Sequence, residues 1–418
     1  MKRILMILIP LAFFWSCKDT CKQTYTYTIP VPVYLSNADY EKENGRWKEP
    51  QLILSTGKIF VRGQYILIVE KEKGVHFIDN SNSNAPKNIG FLQVYGNADI
   101  AVKGNTLYLD SHRDLLYFDI TDINKPIKIG KNENVFEHKR LAFTNGMRDS
   151  IAIRFETKQI TTTRNCSEPH MIPFFGGTAN TTLSSSSSGG SQNQGGSSET
   201  SSSGNQNQAG SMASFIAVGN YLYTVEPDKM YVFDISNGQK TTLINTIKLD
   251  WGVETVFASD GKLFLGTMTG MRIYSLQTPI NPQFLGVFEH PIACDPVVVQ
   301  NNLAYVTTRS GNICANAQNQ LDIVSIADPQ NPQLIKSYEM QNPHGLAVKG
   351  DDLIVCEGAF GFKKFDVNDP KNIILQKKNS ELYSFDVIML PNSFLIASRS
   401  GIYQYNYDFQ LISQISNL

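Results

Sequence analysis

A strand-like apolar run closed by a short polar stop returns along this chain about every 40 residues, which commits the fold to copies of one small unit. The stop falls at Phe77-Ile78-Asp79, Tyr117-Phe118-Asp119, Val232-Phe233-Asp234 and Lys364-Phe365-Asp366. Weaker copies continue the series at Ile273-Tyr274-Ser275, Ile323-Val324-Ser325 and Gln404-Tyr405-Asn406, and four neighbouring pairs of anchors lie 40 or 41 residues apart. A period in this range with several strands per unit is the signature of a β-propeller.

The unit around Asp119 reads as four strands: Ala98–Gly104, Leu107–Asp110, Leu115–Ile120 and Ile127–Ile129. Each run is short, β-branched or aromatic, and bounded by Gly, Asn or Pro, which is the pattern of strands and not of an amphipathic helix. Several copies carry a proline turn after the third strand, as at Asn124–Pro126, Ile280–Pro282 and Gln330–Pro332. Proline cannot donate to a ladder, so these turns lie between strands. The recurring aspartates are expected to be turn residues that accept from the backbone two residues on.

The expected fold class is therefore all-β, a propeller of four-stranded antiparallel blades. Units start near Lys58, Ala98, Lys139, Met212, Val253, Cys294, Pro343 and Phe385, which favours eight blades. The third start is defective: Arg140–Phe143 and Ser150–Phe155 resemble its first two strands, but no Phe-Asp anchor follows, so seven blades is the alternative. A blade cannot bury both faces alone, and the ring must close for stability.

The N-terminus carries a separate message. Lys2 and Arg3 precede an apolar stretch, Ile4–Trp15, that runs into Ser16-Cys17. Its 12 residues fall short of the ~20 that span a bilayer, and the order of charged, apolar and small residues is that of an export signal. The pattern resembles a bacterial lipoprotein signal peptide, which implies cleavage after residue 16 and lipid on Cys17. Phe14 and Trp15 stand where Leu and a small residue are usual, a looseness shared by lipoproteins of the Bacteroidota. Lys18-Asp19 resembles the charged signals that send such lipoproteins to the outer face of the outer membrane. Residues 17–50 are expected to be a spacer between lipid and propeller, with Ser36 capping a short helix through Glu43, and the propeller is expected over residues 51–418.

Export permits disulfides. Cys294 lies at the start of one blade's first strand and Cys314 in the enlarged loop Arg309–Gln320 of the same blade, so a Cys294–Cys314 bond is expected, two free thiols being the alternative. Cys356 sits in the apolar run after Leu353-Ile354-Val355 and is expected in the core. No cysteine and histidine spacing suits a metal, and no cofactor is expected.

Between about residues 161 and 211 the repeat gives way to Ser, Gly, Gln and Asn, including the run Ser184–Ser188. Such a composition is expected to stay disordered, as a tolerated insertion or a partner-binding arm. With 37 basic and 38 acidic side chains, no global field draws in nucleic acid.

The units GVHFIDNSNSNAP, LLYFDITDINKP, MYVFDIS, LDIVSIADPQNP and FKKFDVNDP, with the CDPVVV, QNNLAYVTTRSG and NPHGLAVKGDDLIVCEG segments, resemble the LVIVD-repeat lipoproteins of Bacteroidota over nearly all of the chain after residue 30. The resemblance implies an outer-membrane β-propeller lipoprotein that is surface-exposed or periplasm-facing, and carries no catalytic residues with it.

A propeller commonly binds ligands at the end of its channel where the first strands begin. Aligned units place Asp99, Ser214, Glu254, Asp295, His344 and Asp386 near that mouth. This ring could bind a cation or sugar hydroxyls, or supply carboxylates such as Glu254 and Asp295 for acid–base chemistry on polysaccharide. No nucleophile elbow or phosphate loop is present. The expected function is thus a non-catalytic, monomeric module that binds a protein or glycan, with a polysaccharide-active enzyme as the alternative.

Overall fold

The computed structural model describes residues 22–138, 150–165, 207–290, 296–309 and 318–416. Seven antiparallel sheets follow one another along the chain, each laid down as four consecutive strands. Blade 1 comprises Ile59–Arg62, Tyr65–Glu70, Gly74–Asp79 and Lys87–Gln93. Blades 2 to 7 span 100–132, 215–248, 253–289, 297–339, 346–379 and 386–416. The first strands of neighbouring blades stand side by side around the axis, and the fourth strands form the rim.

Burial follows that order. In blade 1 all but the first residue of Tyr65–Glu70 is buried, whereas most of the rim strand Gln333–Glu339 of blade 5 is exposed. Each blade packs one face on each neighbour, as strand alternation requires. Phe60, Leu67, Val75 and Phe77 of blade 1 join Ile100, Val102 and Leu107 of blade 2. Ile59, Val61, Ile66 and Ile68, on its other face, join Ile388, Leu395, Ala397 and Ile402 of blade 7, and this seam closes the ring.

The repeated aspartates terminate third strands as expected. Asp79, Asp119, Asp234 and Asp366 accept from the backbone N–H of Ser81, Thr121, Ser236 and Asn368 at 2.8, 2.8, 2.8 and 3.0 Å. Bonds from Ser81, Thr121 and Ser236 hold the first three carboxyls below their ordinary range. A β-turn follows: in blade 5, Asn331 N–H donates to the Asp328 carbonyl at 3.1 Å, with Pro329 at the second turn position, where its fixed φ fits. Every blade also shifts register between its third and fourth strands, so the bulge belongs to the repeat.

The expectation of eight blades is corrected to seven. Of the defective third unit, residues 139–149 lie outside the described residues, and Ser150 opens a 16-residue strand, Ser150–Asn165, that pairs with Lys22–Ser36 in a separate two-stranded ribbon. Within the ribbon, the hydroxyls of Thr24 and Thr26 meet those of Thr163 and Thr161 at 3.1 and 3.2 Å. A blade needs third and fourth strands to cover the second, and among the described residues Ser150–Asn165 pairs with Lys22–Ser36 alone.

The segment expected as a spacer before residue 51 carries structure of its own. Helix Asn37–Glu43 is capped by Ser36, whose hydroxyl accepts from Asp39 N–H at 3.1 Å. Buried Tyr40 places its hydroxyl 3.0 Å from Ser111 Oγ of blade 2. Arg46–Lys48 then pairs with the rim strand of blade 1, and Trp47 fills the space over Gly90, where a Cβ would fall 2.0 Å from the indole. The stretch expected as spacer thus covers an edge that would otherwise be open to pairing. Cys17, Cys294 and Cys314 lie outside the described residues, and Cys356 is fully buried in the core between blades 6 and 7.

Candidate functional site in the channel

The channel is occupied by the chain itself. Asn207–Ala209 adds to the inner edge of the first strand of blade 1, antiparallel to it, with Asn207 opposite Arg62 and Ala209 opposite Phe60. Gly210 N–H continues the ladder to the Ile59 carbonyl at 3.2 Å. The segment therefore runs toward the end where the first strands begin. Both borders of the expected insertion are ordered elements, and residues 166–206 lie outside the described residues.

At that mouth the segment meets two buried carboxylates. Ser211 donates to Asp386 Oδ1 through its N–H (3.2 Å) and its hydroxyl (2.9 Å), and the same hydroxyl accepts from Leu346 N–H at 2.9 Å. Met212 and Ala213 are buried, and Ser214 N–H then donates to Asp99 Oδ2 at 2.7 Å, joined by its hydroxyl. Residues 207–214 thus tie blades 1, 7, 6 and 2 together before the chain enters blade 3. The fit is close enough to dictate composition: a Cβ on Gly210 would sit 1.9 Å from Asp386 Oδ2, and one on Gly345 2.3 Å from Oδ1.

The carboxylates differ in environment. Asp99 is paired with Lys58 and accepts from Ile100 N–H at 2.8 Å. Asp386 is pushed up to about 7 by burial, against the opposing pull of its Ser211 and Val387 bonds and of Lys58. Oxygen Oδ1 accepts from Ser211 and from Val387 N–H at 2.9 Å, while Oδ2 has no partner among the described residues and is where a proton can reside. His344, one residue before Gly345, is pushed down to about 3 by burial and by Arg309 and Arg399. Arg309 Nη1 lies 3.0 Å from its Nε2. An imidazole held neutral this firmly is a poor proton donor at neutral pH.

Of the residues the sequence assigned to the mouth, Asp99 and Asp386 are brought onto one segment, and His344 lies buried beside it. Glu254 is half-buried at the second position of the first strand of blade 4, and Asp295 lies outside the described residues. Lys58, Gly210 and Ser211 were missed as mouth residues, and Ser214 was seen there without its role as a ligand to Asp99. The available signal was the apolar pair Met212-Ala213 directly after a polar tract. Among the described residues, no cluster of three or more His, Cys, Asp or Glu is placed to hold a metal ion.

These features define a seven-bladed β-propeller with a segment of its own chain paired to the inner edge of blade 1 and bonded across the mouth. The LVIVD repeat family model matches residues 209–247 and 293–340, which cover the end of the channel segment with blade 3, and blade 5. No curated protein matches the chain. Among solved structures, a functionally unknown protein from Desulfotomaculum acetoxidans is similar at 11% identity and a TM-score of 0.54, over 86% of this chain and 95% of that one. The periplasmic gluconolactonase PpgL of Pseudomonas aeruginosa gives 9% identity and a TM-score of 0.53 over the same shares. BamB of Moraxella catarrhalis gives 7% and 0.50, over 82% and 81%. At these identities the likeness is one of fold.

Proposed function

We propose that this chain is a non-catalytic binding propeller, exported and held at the outer membrane by lipid on Cys17, which presents the loops of its mouth end to a protein or glycan partner. The observation that carries this reading is the engagement of the mouth carboxylates by the chain's own segment. Asp99 and Asp386 stand where a propeller would offer carboxylates to a substrate, yet both are buried and the chain's own Ser214 and Ser211 take up one oxygen of each. A carboxylate buried against its own backbone has no substrate proton within reach, and general acid–base work needs such reach. With those two carboxylates committed to the fold, recognition on the surface of the ring is the reading they support.

Two experiments test the two halves of this reading. Cys17→Ala is expected to abolish incorporation of labelled fatty acid and to release the protein from the membrane fraction; a labelled or membrane-bound variant would end the anchor assignment. The mature chain from residue 18, immobilised and exposed to cell-envelope proteins and polysaccharides, is expected to retain a specific partner without converting it. Turnover of a polysaccharide that is lost in the Glu254→Ala, Asp295→Ala double variant would replace binding by catalysis.

A further inference from the structure

The loop between blades 3 and 4, at the mouth end, leaves Trp251 65% exposed. Exposure of the largest side chain is unusual, since tryptophan is highly buried on average. Trp47, the other described tryptophan, packs edge-on against Phe77 at 5.0 Å. Nor is Trp251 outside through slackness of its loop. Leu249 N–H donates to the Asp228 carbonyl at 2.7 Å, and Gly252 and Val253 N–H both donate to the Pro227 carbonyl, at 2.7 and 3.0 Å. Gly252 takes φ +102°, a conformation that favours glycine, and its carbonyl accepts from Met268 N–H at 2.8 Å. The indole is held out in water by bonds on both sides.

Its neighbours are polar. His138 lies perpendicular to the indole at 5.5 Å, and its Nε2 is 2.7 Å from Asp228 Oδ1. On the loop itself Asp250, 73% exposed, pairs with Arg272 at 2.7 Å. A protein-binding anchor would be expected within an apolar patch that excludes water. The exposed Leu243, Ile244 and Ile280 that could extend one belong to the opposite end of the blades, where third strands stop and fourth strands start. A rigid aromatic face with an imidazole against it, one carboxylate bonded to that imidazole and another next to it in the chain matches a different object, one with a flat C–H face and hydroxyls around its edge. That object is a pyranose: its axial C–H bonds pack on the ring face, and its equatorial hydroxyls donate to carboxylate oxygens, the stronger kind of acceptor.

Taking the binding reading above as its basis, we propose that Trp251, with Asp228, His138 and Asp250, is a carbohydrate-binding platform for a neutral pyranose with equatorial hydroxyls. Preorganisation of the loop lowers the ordering cost of binding.

The mature chain titrated with cellohexaose, chitohexaose, xylohexaose and mannohexaose, by calorimetry and tryptophan fluorescence, tests this assignment. At least one oligosaccharide is expected to bind with a change in fluorescence. Trp251→Ala should weaken it by roughly tenfold or more, Trp251→Phe by about threefold at most, and Asp228→Asn by an intermediate factor, since stacking and edge hydrogen bonds act together. Absence of binding by all four sugars, or binding that Trp251→Ala leaves unchanged, overturns the platform. A parallel capture of envelope proteins separates the two levels: a specific protein held equally by wild type and Trp251→Ala would retain the binding module and remove the sugar. Capture of nothing by either route would remove both.

Discussion

Gly210→Val is expected to destabilise the propeller by about 3 kcal/mol or more, the range of severe overpacking in a closed core. The clash is with Asp386 Oδ2, 1.9 Å from the new Cβ, and neither partner has room to retreat. Ser211 lies one residue on and is fixed to the same carboxylate, and Gly210 N–H is fixed to Ile59. Urea unfolding of wild type, Gly210→Val and Gly210→Ala measures the effect. Because the cost arises from one contact, Gly210→Ala combined with Asp386→Ala should cost less than the sum of the two single changes. Additive costs would mean that the segment does not lie against Asp386.

The second large effect depends on pH. Asp386 has a folded value of about 7, above its ordinary 3.8, so the folded state holds a proton that the unfolded chain releases. Stability therefore falls as pH rises from about 4 to about 7, by an amount on the order of 4 kcal/mol. His344 works in the opposite sense, with a folded value of about 3 below its ordinary 6.5. The unfolded chain takes up a proton that the folded state refuses, so stability rises with pH from about 3 to about 6.5. The two trends oppose each other across mildly acidic pH.

Differences from single variants separate them. Asp386→Asn cannot ionise and keeps an oxygen for Ser211 and Val387, so its stability relative to wild type is expected to climb between about pH 4 and pH 7. His344→Asn should lose stability relative to wild type over about pH 3 to 6.5. Unfolding free energies at four or five pH values across this window check both, and parallel curves for all three proteins would refute the assignment of either group.

The repeat was legible because each blade contains its own instructions. Asp119 accepts from the backbone two residues on whatever the rest of the chain does, and the cap at Ser36 is equally local. Partner choice is not local, and this is where the blade count went astray. Ser150–Phe155 looks like a blade's second strand, but its pairing with Lys22–Ser36 is set by a segment more than a hundred residues away. The channel segment escaped for a related reason. Three strand residues followed by Gly-Ser carry no periodicity, and their strand character arises from the free inner edge of Ile59–Arg62. Asp99, Ser214 and Asp386 could be placed at the mouth by aligning the units, whereas the pairing of Ser214 with Asp99 and of Ser211 with Asp386 joins one blade's approach to other blades and is not written in any single unit.

Because every blade is a contiguous piece of chain, a ring of this kind can in principle lengthen or shorten over evolutionary time by duplicating or deleting one run of about 40 codons. The segment Asn207–Ser214 acts as a gauge against such changes. It pairs with blade 1 and also reaches blades 7, 6 and 2, so it spans the bore as that bore is drawn by seven first strands. An eighth blade would widen the circle and draw Asp386 or Asp99 away from its serine, leaving a buried carboxylate short of the donors that the segment supplies. Once a lineage had threaded its own axle, the number of spokes was no longer free to drift.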